Sequence, residues 1–98
     1  MLRIAICDDD KELGIELESM LNEISKNTGE VFEISVFYTG EGLCDSLMSG
    51  SRFNLIFLDI ELCEINGVEV GKKIRGELND EITQIVYISA KESYAMEL

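Results

Sequence analysis

Three aspartates stand side by side at residues 8–10, a fourth closes an apolar run at Asp59, and a serine closes another at Ser89. Adjacent carboxylates repel one another, and capping a helix needs only one of them. Asp8, Asp9 and Asp10 together therefore ask for a cation. The chain has no histidine, and its three cysteines (Cys7, Cys44 and Cys63) form no C-x-x-C spacing, which speaks against zinc. Carboxylates without imidazole or thiolate partners favour a hard ion. A few carboxylates with waters and a phosphate suit Mg²⁺ better than a full Ca²⁺ cage, and no EF-hand spacing is present. A cation between Asp9 and Asp59 would offset charge on a transferred phosphoryl group. A carboxylate can itself be the nucleophile, giving an acyl phosphate, and Ser89 could then donate a hydrogen bond to a phosphoryl oxygen.

Taken singly, each of these residues has a plainer explanation. An aspartate before a helix is most often its N-cap, and one of the three can cap while the others do chemistry. Asp59 is at home in a turn, and Ser89 at the start of a helix. The joint arrangement carries the argument.

The elements that must position these residues are legible from periodicity. Leu2 to Cys7 and Leu55-Ile56-Phe57-Leu58 are nearly continuous apolar runs, the mark of strands buried on both faces, and Ile85-Val86-Tyr87-Ile88 reads the same way. Val31 to Tyr38 alternates Phe32, Ile34 and Val36 with Glu33 and Ser35, which predicts an outer strand with one wet face. Between the strands, Leu13, Leu17, Met20, Leu21 and Ile24 recur at helical spacing, closed by Asn27-Thr28-Gly29. Leu43/Leu47 with Cys44/Met48 mark a short second helix that ends at Ser49-Gly50-Ser51. Val70, Gly71, Ile74 and Leu78 mark a third, ended by Leu78-Asn79-Asp80, and residues 91–98 contain the start of a fourth. Strands alternating with helices predict one α/β domain over residues 1–98, a doubly wound parallel sheet with right-handed crossovers. In such sheets ligands bind beyond the carboxyl ends of the strands, at a switch in strand order. The pattern thus nominates Asp8, Asp9, Asp10, Thr39, Asp59 and Ser89.

Composition sets the surroundings. Eight Lys+Arg against twenty Asp+Glu give a net charge of −12. So acidic a surface repels phosphate backbones and anionic lipid, so no direct nucleic-acid or membrane contact is expected, and it suits a cation or a basic partner face. A hydrophobic fraction of 46% supports a genuine core. No apolar run approaches a membrane span and no secretory leader precedes Leu2-Arg3-Ile4-Ala5-Ile6, so a cytoplasmic location is expected.

The stretches Ile4-Ala5-Ile6-Cys7-Asp8-Asp9-Asp10, Leu55-Ile56-Phe57-Leu58-Asp59-Ile60, Asn66-Gly67 and Ile88-Ser89-Ala90 resemble the receiver domains of two-component response regulators. An acidic pair, a strand-end aspartate about fifty residues on and a Ser-Ala about thirty after that form a specific combination. The run from Asn66 to Arg75 looks most like receivers attached to LytTR-type DNA-binding domains. The resemblance implies a flavodoxin-like sheet of order 2-1-3-4, and a phosphoacceptor switch rather than an enzyme. It implies Asp59 as the phosphoacceptor and Mg²⁺ bound by Asp9 and Asp59, with Asp8 acting through water and the backbone carbonyl of Glu61 completing the set. Ser89 would sense the phosphoryl group, and Asp10, which matches no role in the family, is expected at the surface or as a helix cap. The implied partners are a sensor histidine kinase and a transcriptional output module of the LytTR DNA-binding type.

Two departures stand out. Cys63 occupies a loop position that is usually proline. The family also continues into a fifth strand with a lysine after it and a fifth helix, whereas this chain reaches Leu98 first and Lys91 comes too early for that lysine. A truncated domain or proteolytic fragment is therefore expected. With the fifth strand missing, residues 85–88 would form an exposed apolar edge, which invites homo-oligomers by edge pairing or a swapped element.

Three other readings compete. A flavodoxin-type cofactor binder needs a Gly/Ser/Thr-rich phosphate cradle after the first strand, where three aspartates stand instead. An Asp-x-Asp phosphatase would use Asp8 as nucleophile and Asp10 as acid. A non-phosphorylated interaction scaffold would keep only the fold.

Overall fold

The computed structural model describes residues 1–61, 67–76 and 82–88. Its elements run β1 (Leu2–Cys7), α1 (Lys11–Thr28), β2 (Phe32–Phe37), α2 (Gly40–Met48), β3 (Leu55–Asp59), α3 (Gly67–Arg75) and β4 (Gln84–Ile88). The four strands form one parallel sheet in the order β2-β1-β3-β4. This is the expected 2-1-3-4 order, with alternating β2 at one side.

Side-chain alternation along each strand divides the core between two faces. Ala5 and Cys7 of β1 with Ile56 and Leu58 of β3 meet Leu43, Cys44 and Leu47 of α2 and Val70 and Ile74 of α3. Ile4 and Ile6, with Leu55 and Phe57, turn the other way to meet Leu17 and Leu21 of α1. Among the described residues one helix thus covers one face and two the other, which is why β1 and β3 carry almost no polar residues.

Local chemistry sets the helix ends. Asp10 caps α1 by accepting from the backbone N–H groups of Glu12 and Leu13, and Gly29 closes it at φ 76°, a left-handed conformation that glycine adopts without strain. Thr39 caps α2 in the same way through Gly42 N–H, at 2.9 Å. At the opposite end of the sheet Asn54 ties strands together: its side chain accepts from Arg3 N–H at 2.9 Å, its N–H reaches Arg3 O at 2.7 Å, and its carbonyl accepts from Gln84 N–H at 3.1 Å.

One expectation is corrected. β4 is not buried on both faces: Ile85 and Tyr87 pack against the α2/α3 side, while Val86 points the other way and is 41% exposed. Among the described residues β4 has β3 as its one strand neighbour and no helix over Val86. Ser89 and Cys63, and the expected fourth helix within 91–98, lie outside the described residues.

Candidate functional site

Register brings the acids together. Cys7 of β1 stands opposite Leu58 of β3, so the next residues along, Asp8 and Asp59, emerge level with each other at the carboxyl edge. The ladder continues past the strand ends: Asp8 N–H donates to Phe37 O and Ile60 N–H to Ile88 O, each at 3.0 Å. Both carboxylates are thereby held on fixed backbone. One carboxylate oxygen from each of Asp8, Asp9 and Asp59 lies within 4.8 Å of the others. The cluster sits between β1 and β3, where the order of connection reverses and a crevice opens in sheets of this topology.

Burial makes this cluster electrostatically uncomfortable. Asp8 is 1% exposed and Asp59 8%. Loss of solvation pushes the Asp59 carboxyl up to about 6; the N–H of Glu61, 3.0 Å from Asp59 Oδ1, opposes the rise, and the charges of Asp8 and Asp9 add to it. Asp8 is also raised, again chiefly by burial, with the N–H of Asp10 opposing at 2.9 Å from Asp8 Oδ1. The second oxygen, Asp8 Oδ2, is buried without a hydrogen-bond partner. A buried carboxylate oxygen with no donor is costly, and a cation is the partner that would remove the cost. Among the described residues the side-chain ligands gathered here are all carboxylates, a donor set that fits Mg²⁺.

The neighbouring residues sort themselves by contact. Glu61 adjoins the cluster because its N–H folds back on Asp59. Asp10 is turned away from the cluster as the α1 cap. That occupies the carboxylate an Asp-x-Asp phosphatase would need as its acid. Thr39 is the α2 cap, and its carbonyl accepts from Cys7 Sγ at 3.4 Å. Burial, with help from Cys44 and the nearby aspartates, pushes the Cys7 thiol up to about 12, so it stays protonated and inert beneath the site.

Two contacts were not anticipated from sequence. Lys11 Nζ lies 5.4 Å from the ring centroid of Tyr38, bridging the ends of α1 and β2 beside the acids. Tyr87 lays its ring over Gly71 of α3, so close that a β-carbon there would collide with the phenol oxygen. No sequence pattern marks either pair, because both depend on which loops and faces the sheet order brings together.

Comparison with known proteins agrees with this architecture. The response regulator receiver domain family matches residues 4–98. The sensory transduction protein LytT of Oceanobacillus iheyensis is 41% identical over 64 residues, covering 56% of this chain and 26% of that protein. The response regulator ArlR of Staphylococcus aureus is 34% identical over 91 residues, covering 93% of this chain and 37% of the relative. The chain therefore spans between about a quarter and just over a third of these relatives. Among solved structures, the response regulator TrrA of Thermotoga maritima, in complex with Mg²⁺-BeF, superposes with a TM-score of 0.79 at 32% identity, over 100% of this chain and 77% of that one. TrrA in complex with the histidine kinase ThkA gives a TM-score of 0.75 at 29% identity, over 92% and 70% of the two chains.

Proposed function

The chain belongs to the response regulator receiver domain family, and from that membership we propose that it is a phosphoacceptor switch in which Asp59 receives a phosphoryl group from a sensor histidine kinase. The observation that carries the proposal is the site itself: a strand-end carboxylate on rigid backbone, grouped with Asp8 and Asp9 around a buried oxygen that lacks a partner. Asp8, Asp9, Asp59 and the backbone carbonyl of Glu61 would hold Mg²⁺. Bound there, the ion supplies positive charge to offset that of the carboxylates and the incoming phosphoryl oxygens.

The chain's own residues do the rest. An Asp59 oxygen attacks phosphorus, a P–O bond forms, and the P–N bond to the donor imidazole breaks. The N–H of Glu61 holds Oδ1 of Asp59, which fixes the carboxylate plane and directs the other oxygen to the attack. Ser89, next after β4, would donate to a phosphoryl oxygen and draw the following loop with it, the two-state element through which a local charge change is read elsewhere. Likeness to LytT supports an output module of the LytTR type in the whole protein, with transcription as the controlled process. The kinase partner is supported by the ThkA–TrrA complex, and a cytoplasmic setting accords with both. No described helix is long and apolar enough to cross a membrane.

The proposal is tested by incubating the chain with a small acyl-phosphate donor and following intact mass. A single phosphoryl adduct should form with Mg²⁺, fail to form with a chelator, and be absent from Asp59→Asn. An adduct that forms equally in Asp59→Asn, or without divalent metal, overturns it.

A further inference from the structure

We infer that Asp10 is a positioning residue for the cation site, acting through its own backbone N–H on Asp8. This rests on the reading that Asp8, Asp9 and Asp59 hold Mg²⁺, and it gives a part to the one aspartate of the three that the phosphoacceptor scheme does not use.

Asp10 is anchored to α1 at two points and to the acid cluster at a third. Its Oδ1 accepts from Glu12 N–H at 3.0 Å and Leu13 N–H at 3.3 Å, and its carbonyl accepts from Gly14 N–H at 3.1 Å. These bonds fix its backbone at φ −85° and ψ 105°, extended rather than helical. In that conformation its N–H donates to Asp8 Oδ1 at 2.9 Å. The third contact holds Asp8 Oδ1 from the α1 side, while the Asp59 carboxyl meets the Asp8 side chain from the β3 side. With Oδ1 held, Oδ2 is the oxygen left without a donor, buried and available to a cation. The cap thus does more than end a helix: α1 cannot fray at its first turn without releasing the N–H that sets Asp8. Groups that orient a metal ligand from behind commonly change metal affinity by about 10–100-fold.

The test is calorimetric titration of Mg²⁺ into the full chain and three variants at residue 10, with Thr83→Val as a control. Thr83 bonds Phe53 O at the far end of the sheet, so its loss destabilises the fold without touching the site. Asp10→Ala should weaken Mg²⁺ binding about tenfold or more. Asp10→Asn and Asp10→Ser can accept the same helix N–H groups, and should stay within about threefold of the parent. Thr83→Val should bind as the parent does. Asp10→Ala binding within about twofold of the parent would overturn the inference. So would Asn and Ser variants as weak as Ala, since Asp10 would then act by its charge alone. A folded parent chain that binds no Mg²⁺ would overturn the cation site itself, a result distinct from either of these.

Discussion

Asp59 is a residue whose surroundings oppose its own charge. Its carboxyl is raised to about 6 by burial and by its acidic neighbours, against about 3.9 for an unfolded chain. Between those two values a rising pH strips the proton from the unfolded form first, so metal-free stability falls from about pH 4 to about pH 6 and is then flat on this account. Neutralising the side chain removes the penalty. Asp59→Asn should therefore be more stable than the parent at pH 7.5 without metal, by on the order of 1–3 kcal/mol in urea unfolding, and the gain should vanish near pH 4. Equal midpoints at pH 7.5 would mean that the carboxylates are better solvated than their burial implies. Mg²⁺ competes with the same proton, so its affinity should drop as pH falls through about 6. At this scale the sequence was informative where acids followed apolar runs, since those runs are buried strands whose tips bring Asp8, Asp9 and Asp59 together. Residue types alone left open which of the three aspartates would cap α1; the resemblance, which gives Asp10 no role, left it for the surface or the cap, and it is the cap. That depends on the backbone angle at Asp10 and on the bond to Asp8, neither of which leaves a trace in residue order.

The helices and strands were predicted from periodicity because each is amphipathic or apolar enough to be read alone. The pairings between them were harder. Gly71 reads simply as one position of α3's apolar stripe, yet its lack of a β-carbon is what admits Tyr87 from β4. Nothing near Gly71 in the chain announces a tyrosine arriving from a later strand. Gly71→Ala should gain helix propensity but collide with the Tyr87 phenol oxygen, with Cζ only 3.0 Å from the added carbon. The collision should win, for a net loss of about 1–3 kcal/mol. In a Tyr87→Phe background the same substitution should cost about half as much, because the phenol oxygen is gone while the ring carbons remain. A double-mutant cycle by chemical denaturation measures this, and strict additivity would show that α3 simply shifts aside. The partial burial of β4 has a similar origin: its apolar sequence suits a covered strand, but whether something covers Val86 is decided by parts of the fold that the strand's own residues do not encode.

Over the whole molecule, a net charge of −12 on 98 residues means self-repulsion in the compact state. Raising NaCl from low ionic strength to about 0.15 M should stabilise the parent and Asp59→Asn alike, through general screening. Millimolar Mg²⁺ at fixed ionic strength should stabilise the parent far more than an Asp9→Ala variant, because that gain is site binding and not screening. Equal Mg²⁺ effects in thermal melts of the two would reduce the acid cluster to one more patch of surface charge. Whether Asp59 is a phosphoacceptor is decided most directly by locating any phosphoryl group on the chain. After exposure to Mg²⁺ and a small acyl-phosphate donor, borohydride reduction converts a phosphorylated aspartate to homoserine, which peptide mass mapping locates. Homoserine at residue 59 alone is the predicted result. Homoserine at Asp8, or at no aspartate while the intact protein carries phosphate, would contradict it.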